Sequence, residues 1–110
     1  MSKWQDKSDA EINAAVKSVL VSKHEKESDF DRFFLDILKS SNLDYCNDAA
    51  FAWSIILDNK IDIEFAVEHL GCIGQAHVYI EGDTDIFCEF TDNNKALRAA
   101  MIVYLEINNA

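Results

Sequence analysis

The spacing of apolar residues changes twice along this chain, and those changes fix its fold class. Up to Leu57 the apolar residues recur at helical intervals. From Ile61 to Phe90 they alternate with polar ones, as in half-buried strands, and from Leu97 the helical interval returns. Strands gathered in one stretch, with no helix pattern between them, pair as an antiparallel meander. Proline is absent, and the three glycines, Gly71, Gly74 and Gly82, all fall within the strand region. The expected fold is α+β: a three-stranded antiparallel sheet with about four helices packed on one face. At 110 residues the chain forms a single domain over 1–110, long enough for one modest core.

Ser8 and Glu11 form a capping box ahead of Ile12, Ala15, Val16, Val19 and Leu20, so a first helix starts there. The polar stretch Ser22 to Ser28 reads as a connection. Ser28 or Asp29 opens a second helix to Ser40, with Phe30, Phe33, Phe34, Ile37 and Leu38 as its apolar stripe. A third starts near Asn47 or Asp48 and ends at Asp58-Asn59. Its Phe51 and Trp53 are expected in the core. In the first strand, Ile61, Ile63, Phe65 and Val67 face inward, and Asp62, Glu64 and Glu68 face outward. Gly71 to Gly74 is a turn or loop. The second strand, about Ala76 to Glu81, turns Val78 and Ile80 inward and His77, Tyr79 and Glu81 outward. After a Gly82-Asp83 turn, the third strand places Ile86, Cys88 and Phe90 on one face and Asp85, Phe87 and Glu89 on the other. Asp92, Asn93 and Asn94 cap a last helix, Lys95 to about Asn108.

Charge is distributed unevenly over this frame. Twenty acids against ten Lys and Arg give a formal net charge of −10. Residues 1–39 and 95–110 nearly cancel, while residues 40–94 hold eleven acids and one base, Lys60. General nucleic-acid binding needs Lys and Arg in number, and an anionic membrane repels such a surface; both are excluded as direct partners. Alternation gathers the excess on one side of the sheet: Asp62, Glu64, Glu68, Glu81, Asp85 and Glu89, with Asp83 at the turn and Tyr79 and Phe87 among them. Acidic proteins are common and strand faces need polar residues, so a merely solvated face is one reading. The other is a recognition surface for a partner protein with a basic surface, steered by carboxylates and gripped by the two aromatics.

Catalytic signals are weak. Glu81, Asp83 and Asp85, with Asp62, could ligate a hard cation, but the spacing is not that of an EF-hand. Among His24, His69 and His77, His69 stands three residues before Cys72, an arrangement open to a Cys–His hydrolase. No GxSxG, P-loop, HExxH or Rossmann glycine pattern occurs. The three cysteines, Cys46, Cys72 and Cys88, are odd in number and not spaced as CxxC, so they read as small buried hydrophobes. The expectation is no enzyme activity and no cofactor. With no signal peptide or bilayer-length apolar run visible, the expected location is cytoplasmic.

Three stretches resemble small NinX-like proteins of tailed phages and prophages. Asp44 to Ile56 resembles their D-Y-C-N-x-x-x-x-A-W-P-I-I stretch, and Ala96 to Leu105 their N-P-L-R-A-A-M-I-V-F-L helix. Ser8 to Val16 is similar to their S-D-x-E-I-N-x-x-V start. Ser54 replaces one family proline, Lys95-Ala96 replaces Asn-Pro, and Val21 to Asn42 has no counterpart. The resemblance implies a short α+β phage or prophage accessory protein in a host cytoplasm, and it brings no catalytic residues. Asp44, Tyr45, Cys46 and Asn47 suit a structural corner, polar at its ends and buried in its middle. The expected role is to bind and inhibit a host protein, such as nucleic-acid-handling or defence machinery, by imitating the charge of DNA. The alternatives are a metal-assisted or Cys–His hydrolase, and a homodimer built on an apolar helix stripe.

Overall fold

A computed structural model of the protein describes residues 3–26, 32–65, 74–78 and 86–110. In chain order these form α1 (Asp9–Glu25), α2 (Arg32–Ser40), α3 (Ala49–Asp58), β1 (Asp62–Phe65), β2 (Gly74–Val78), β3 (Ile86–Phe90) and α4 (Ala96–Ile107). A short 3-10 turn, Asn93–Lys95, leads into α4. The sheet is antiparallel in the order β1-β2-β3, so the fold is α+β with four helices and a three-stranded meander.

α4 is the centre of the molecule. Eight of its twelve residues are buried, more than one amphipathic stripe can supply, because it is covered on several sides. The sheet packs against it, chiefly through β2 and β3. α1 and α3 also pack against α4, and α2 packs against α1. Ile12 and Val16 of α1 and Ala52, Ile55 and Ile56 of α3 complete the core.

Local chemistry explains the element boundaries. The backbone N–H of Glu11 donates to Ser8 Oγ at 3.2 Å, starting α1 where the capping box places it. The helix then runs to Glu25, through most of the expected connection. Lys23 in its last turn suits the helix dipole and lies 5.4 Å from the Tyr104 ring. Glu25 pairs with Lys39 of α2 at 2.7 Å, a tertiary contact that local polarity does not reveal. Asp48 caps α3 by accepting from Ala50 N–H at 3.0 Å. α3 ends in a Schellman arrangement: Ile61 N–H donates to Ile56 C=O and Lys60 N–H to Leu57 C=O, with Lys60 left-handed at φ 53°.

β2 begins at Gly74, where the sequence pattern reads as a turn. A Cβ there would run into the carbonyl oxygen of Glu64 and the ring of Phe90, so only glycine lets the three strands close at this point. Phe65 meets the Phe90 ring edge to face at 5.6 Å, but at the end of an outer strand it stays exposed rather than inward. Ile37 is likewise exposed, leaving Leu38 as the buried residue of the described part of α2's stripe. Phe30, and the side chains of Phe33 and Phe34, lie outside what is described, as do Val67, Ile80 and the Gly82-Asp83 turn.

Candidate functional site

Strand register decides which acids share a surface. Asp62 of β1 stands opposite His77 of β2, and His77 opposite Phe87 of β3. One step along, Glu64, Gln75 and Glu89 form a second row. Residues directly opposite point to the same side, so Asp62, Glu64, Phe87 and Glu89 occupy one face. Ile63, Ala76, Cys88 and Phe90 occupy the other, toward α4. Of the nine residues expected on the acidic surface these four are described, and they come together. Glu68, Tyr79, Glu81, Asp83 and Asp85 lie outside the described residues.

Two details differ from expectation. Like charges do not stand directly opposite, because the middle strand offers Gln75 and His77 and separates the acidic rows by two strand spacings, about 10 Å. His77, expected as an exposed polar position, is only 3% exposed, and its Nε2 lies 3.1 Å from Oε1 of Glu64. A central-strand side chain flanked on both sides is covered more fully than alternation implies. Phe87, by contrast, is 51% exposed on this acidic face.

A polar cluster joins three distant parts of the chain. Arg98 Nη1 lies 2.6 Å from Asp9 Oδ1, and its Nη2 donates to the carbonyls of Gln5 and Lys7. Asn47 Nδ2 donates to Asp9 and Asp44 at 3.1 Å. Asn13 donates to Asp44 at 3.0 Å and accepts from the Cys46 N–H at 3.1 Å. Burial works against the ionised Asp9, but hydrogen bonds from Asn47 and Arg98 and the Arg98 charge outweigh it, holding that carboxyl below its ordinary value. Burial, reinforced by the negative charge of Asp9, pushes the Cys46 thiol up to about 12. Burial also raises Cys88, against a hydrogen bond from Gln5. Neither thiol is set up as a nucleophile at neutral pH. His69 and Cys72 lie outside the described residues.

A groove of about 1570 Å³ lies beside β3. All five residues of β3 line it, although successive residues point to opposite faces. A single groove can touch five consecutive strand residues only by running along the strand's edge. Arg98, Ala99, Ile102 and Glu106, one stripe of α4, form a second wall, and residues of the 3–10 stretch, including Trp4 and Gln5, form a third. No element of the alternating pattern announced this groove, because it depends on which strand is left at the edge.

No protein-family model, characterised protein or solved structure matches the chain.

The polar cluster draws on three separate parts of the chain: Asp9 and Asn13 of α1, the Asp44 to Asn47 corner, and Arg98 of α4. Tyr45 and Cys46 are buried within the corner. α3 corrects another expectation. Trp53, 53% exposed, and Leu57, 57% exposed, lie one turn apart and turned from Ala52, Ile55 and Ile56, while Phe51 is exposed on the other flank of that buried stripe. Only Ser54 and Asp58, one turn apart, interrupt the apolar residues of this helix, so its sequence could not say which apolar side would be covered. Among the described residues no group of three or more His, Cys, Asp and Glu could hold a metal ion, and no helix is long and apolar enough to cross a membrane.

Proposed function

We propose that this is a non-enzymatic binding module whose acidic sheet face receives a basic surface of a protein partner. The observation that supports it is that Asp62, Glu64 and Glu89 share one sheet face with the exposed ring of Phe87, within a segment almost without cations. Carboxylates fixed on strands steer a cationic partner, and Phe87 adds an apolar contact at the β3 side of the face. The NinX-like resemblance favours a phage or prophage accessory role in a host cytoplasm. There a carboxylate array would block a host protein whose basic site normally takes nucleic acid.

The test is capture of a partner from bacterial lysate by the wild type and by the combined Asp62→Asn, Glu64→Gln, Glu89→Gln variant. A partner held at low salt, released at high salt and missed by the variant is the expected result. Equal retention by the variant, or retention unaffected by salt, overturns the reading.

The exposed Trp53 and Leu57 of α3 favour a second reading, self-association through that helix.

A further inference from the structure

We propose that the groove beside β3 takes an extended peptide segment of alternating basic and apolar residues, which adds to the sheet as a fourth strand. This rests on the acidic-face reading for its charge preference, and on the open strand edge for everything else.

Among the described residues β3 pairs with β2 alone, so alternate N–H and C=O groups of β3 point away from the sheet. The groove runs along that side, and β3 spans about 17 Å at ordinary strand rise. An added strand would satisfy those backbone groups, and its side chains would fall alternately on the two faces.

The two faces ask for different chemistry. Positions on the outer face fall beside Phe87 and Glu89. A lysine or arginine there meets a carboxylate and an exposed ring able to receive a cation on its face. Positions on the inner face fall beside Cys88, Ala99 and Ile102, which are already almost fully buried, with Gln5 donating to the Cys88 sulfur, so only small side chains fit there. The groove also carries Lys3, Lys7, Lys95 and Arg98, so the lysine preference belongs to the Phe87 and Glu89 side alone. Arg98 is committed to Asp9 and two carbonyls, Lys7 lies 3.9 Å from Glu11, and Lys3 sits over the Trp4 ring. Lys95 lies on the α4 side, where the added strand would be apolar.

The probe is an acetylated peptide of about seven residues alternating lysine and valine, long enough to match β3. Two N-methylated forms carry the methyl on one or the other alternate set of amides. Binding to the full chain is read by fluorescence anisotropy, and the site by amide shifts of residues 86–90. The expected result is that one N-methylated form binds about tenfold or more weakly while the other matches the parent, because only one set of amides faces β3. A glutamate–valine peptide should bind about tenfold more weakly than lysine–valine, and Glu89→Lys should narrow that difference. Equal binding by both N-methylated forms, with the lysine preference kept, overturns strand addition and leaves the acidic-face reading standing. Loss of the lysine preference with the N-methyl asymmetry kept overturns the charge reading instead. No binding by any peptide overturns the groove proposal.

Discussion

Arg98 ties α4 to the start of α1 and to the segment before it, through one ion pair and two carbonyl acceptors. Asp9 is the anionic half of that tie and is also held by Asn47, so the Asp44–Asn47 corner hangs on the same carboxylate. The folded Asp9 pKa is below its ordinary value of 3.8. Its stabilisation is therefore complete above that value and is lost as the pH falls through the lower folded value. Asp9→Asn should cost about 1 kcal/mol at neutral pH, a charged hydrogen bond discounted for partial exposure. Urea melts of wild type and variant should converge as the pH falls through the folded value, where the wild-type carboxyl itself becomes protonated. A difference that persists at acid pH would mean that the ion pair is not its source. At this scale the sequence was informative where a residue acts on its own neighbours. Ser8 with Glu11, and Asp44 with Asn47, announce caps and turns by type and spacing. Asn13 meeting Asp44 and Cys46 across 31 and 33 residues has no local signal.

Period-two alternation put the described strand residues from Asp62 to Phe65, Ala76 to Val78 and Ile86 to Phe90 on their correct sides of the sheet, and helical spacing located the buried residues of α1 and α4 but not the exposed side of α3. Both patterns say which residues share a face, and neither says how completely a face is covered. His77 and Trp53 fail expectation in opposite directions for this one reason. His77 lies in a middle strand with neighbours on both sides, and Trp53 lies on a helix that packs against α4 from one side only. The consequence at α3 is measurable. Its outer surface presents Trp53 and Leu57 without a charged residue between them, a patch of the kind that joins protein copies. If α3 is an interface, light scattering should show a concentration-dependent dimer that Trp53→Gln with Leu57→Lys reduces to monomer. Neither side chain belongs to the core cluster, so the variant's melting temperature at low concentration should be close to that of the wild type. A monomer at all concentrations would return α3 to a merely exposed apolar face.

Across the whole molecule, the net charge of −10 sits almost entirely on the segment that supplies α3 and the sheet, while α1, α2 and α4 are close to neutral together. Concentrating like charge on one face has an electrostatic cost that a mixed surface would avoid. The register limits that cost across the sheet, since Gln75 stands between Glu64 and Glu89 and leaves those two carboxylates on strands about 10 Å apart, near the screening length at 0.1 M salt. At about 0.01 M salt the screening length grows to roughly 30 Å and they interact without attenuation. The wild type should therefore gain melting temperature as salt rises from 0.01 to about 0.1 M. The variant with Asp62→Asn, Glu64→Gln and Glu89→Gln should gain less and start higher, since it removes like charges while Glu64→Gln keeps a side-chain oxygen next to His77. If the same variant also loses its protein partner, the acidic face is held against stability for the sake of binding. If it melts lower than the wild type at low salt, those carboxylates serve the fold itself, and the case for a recognition surface loses its physical basis.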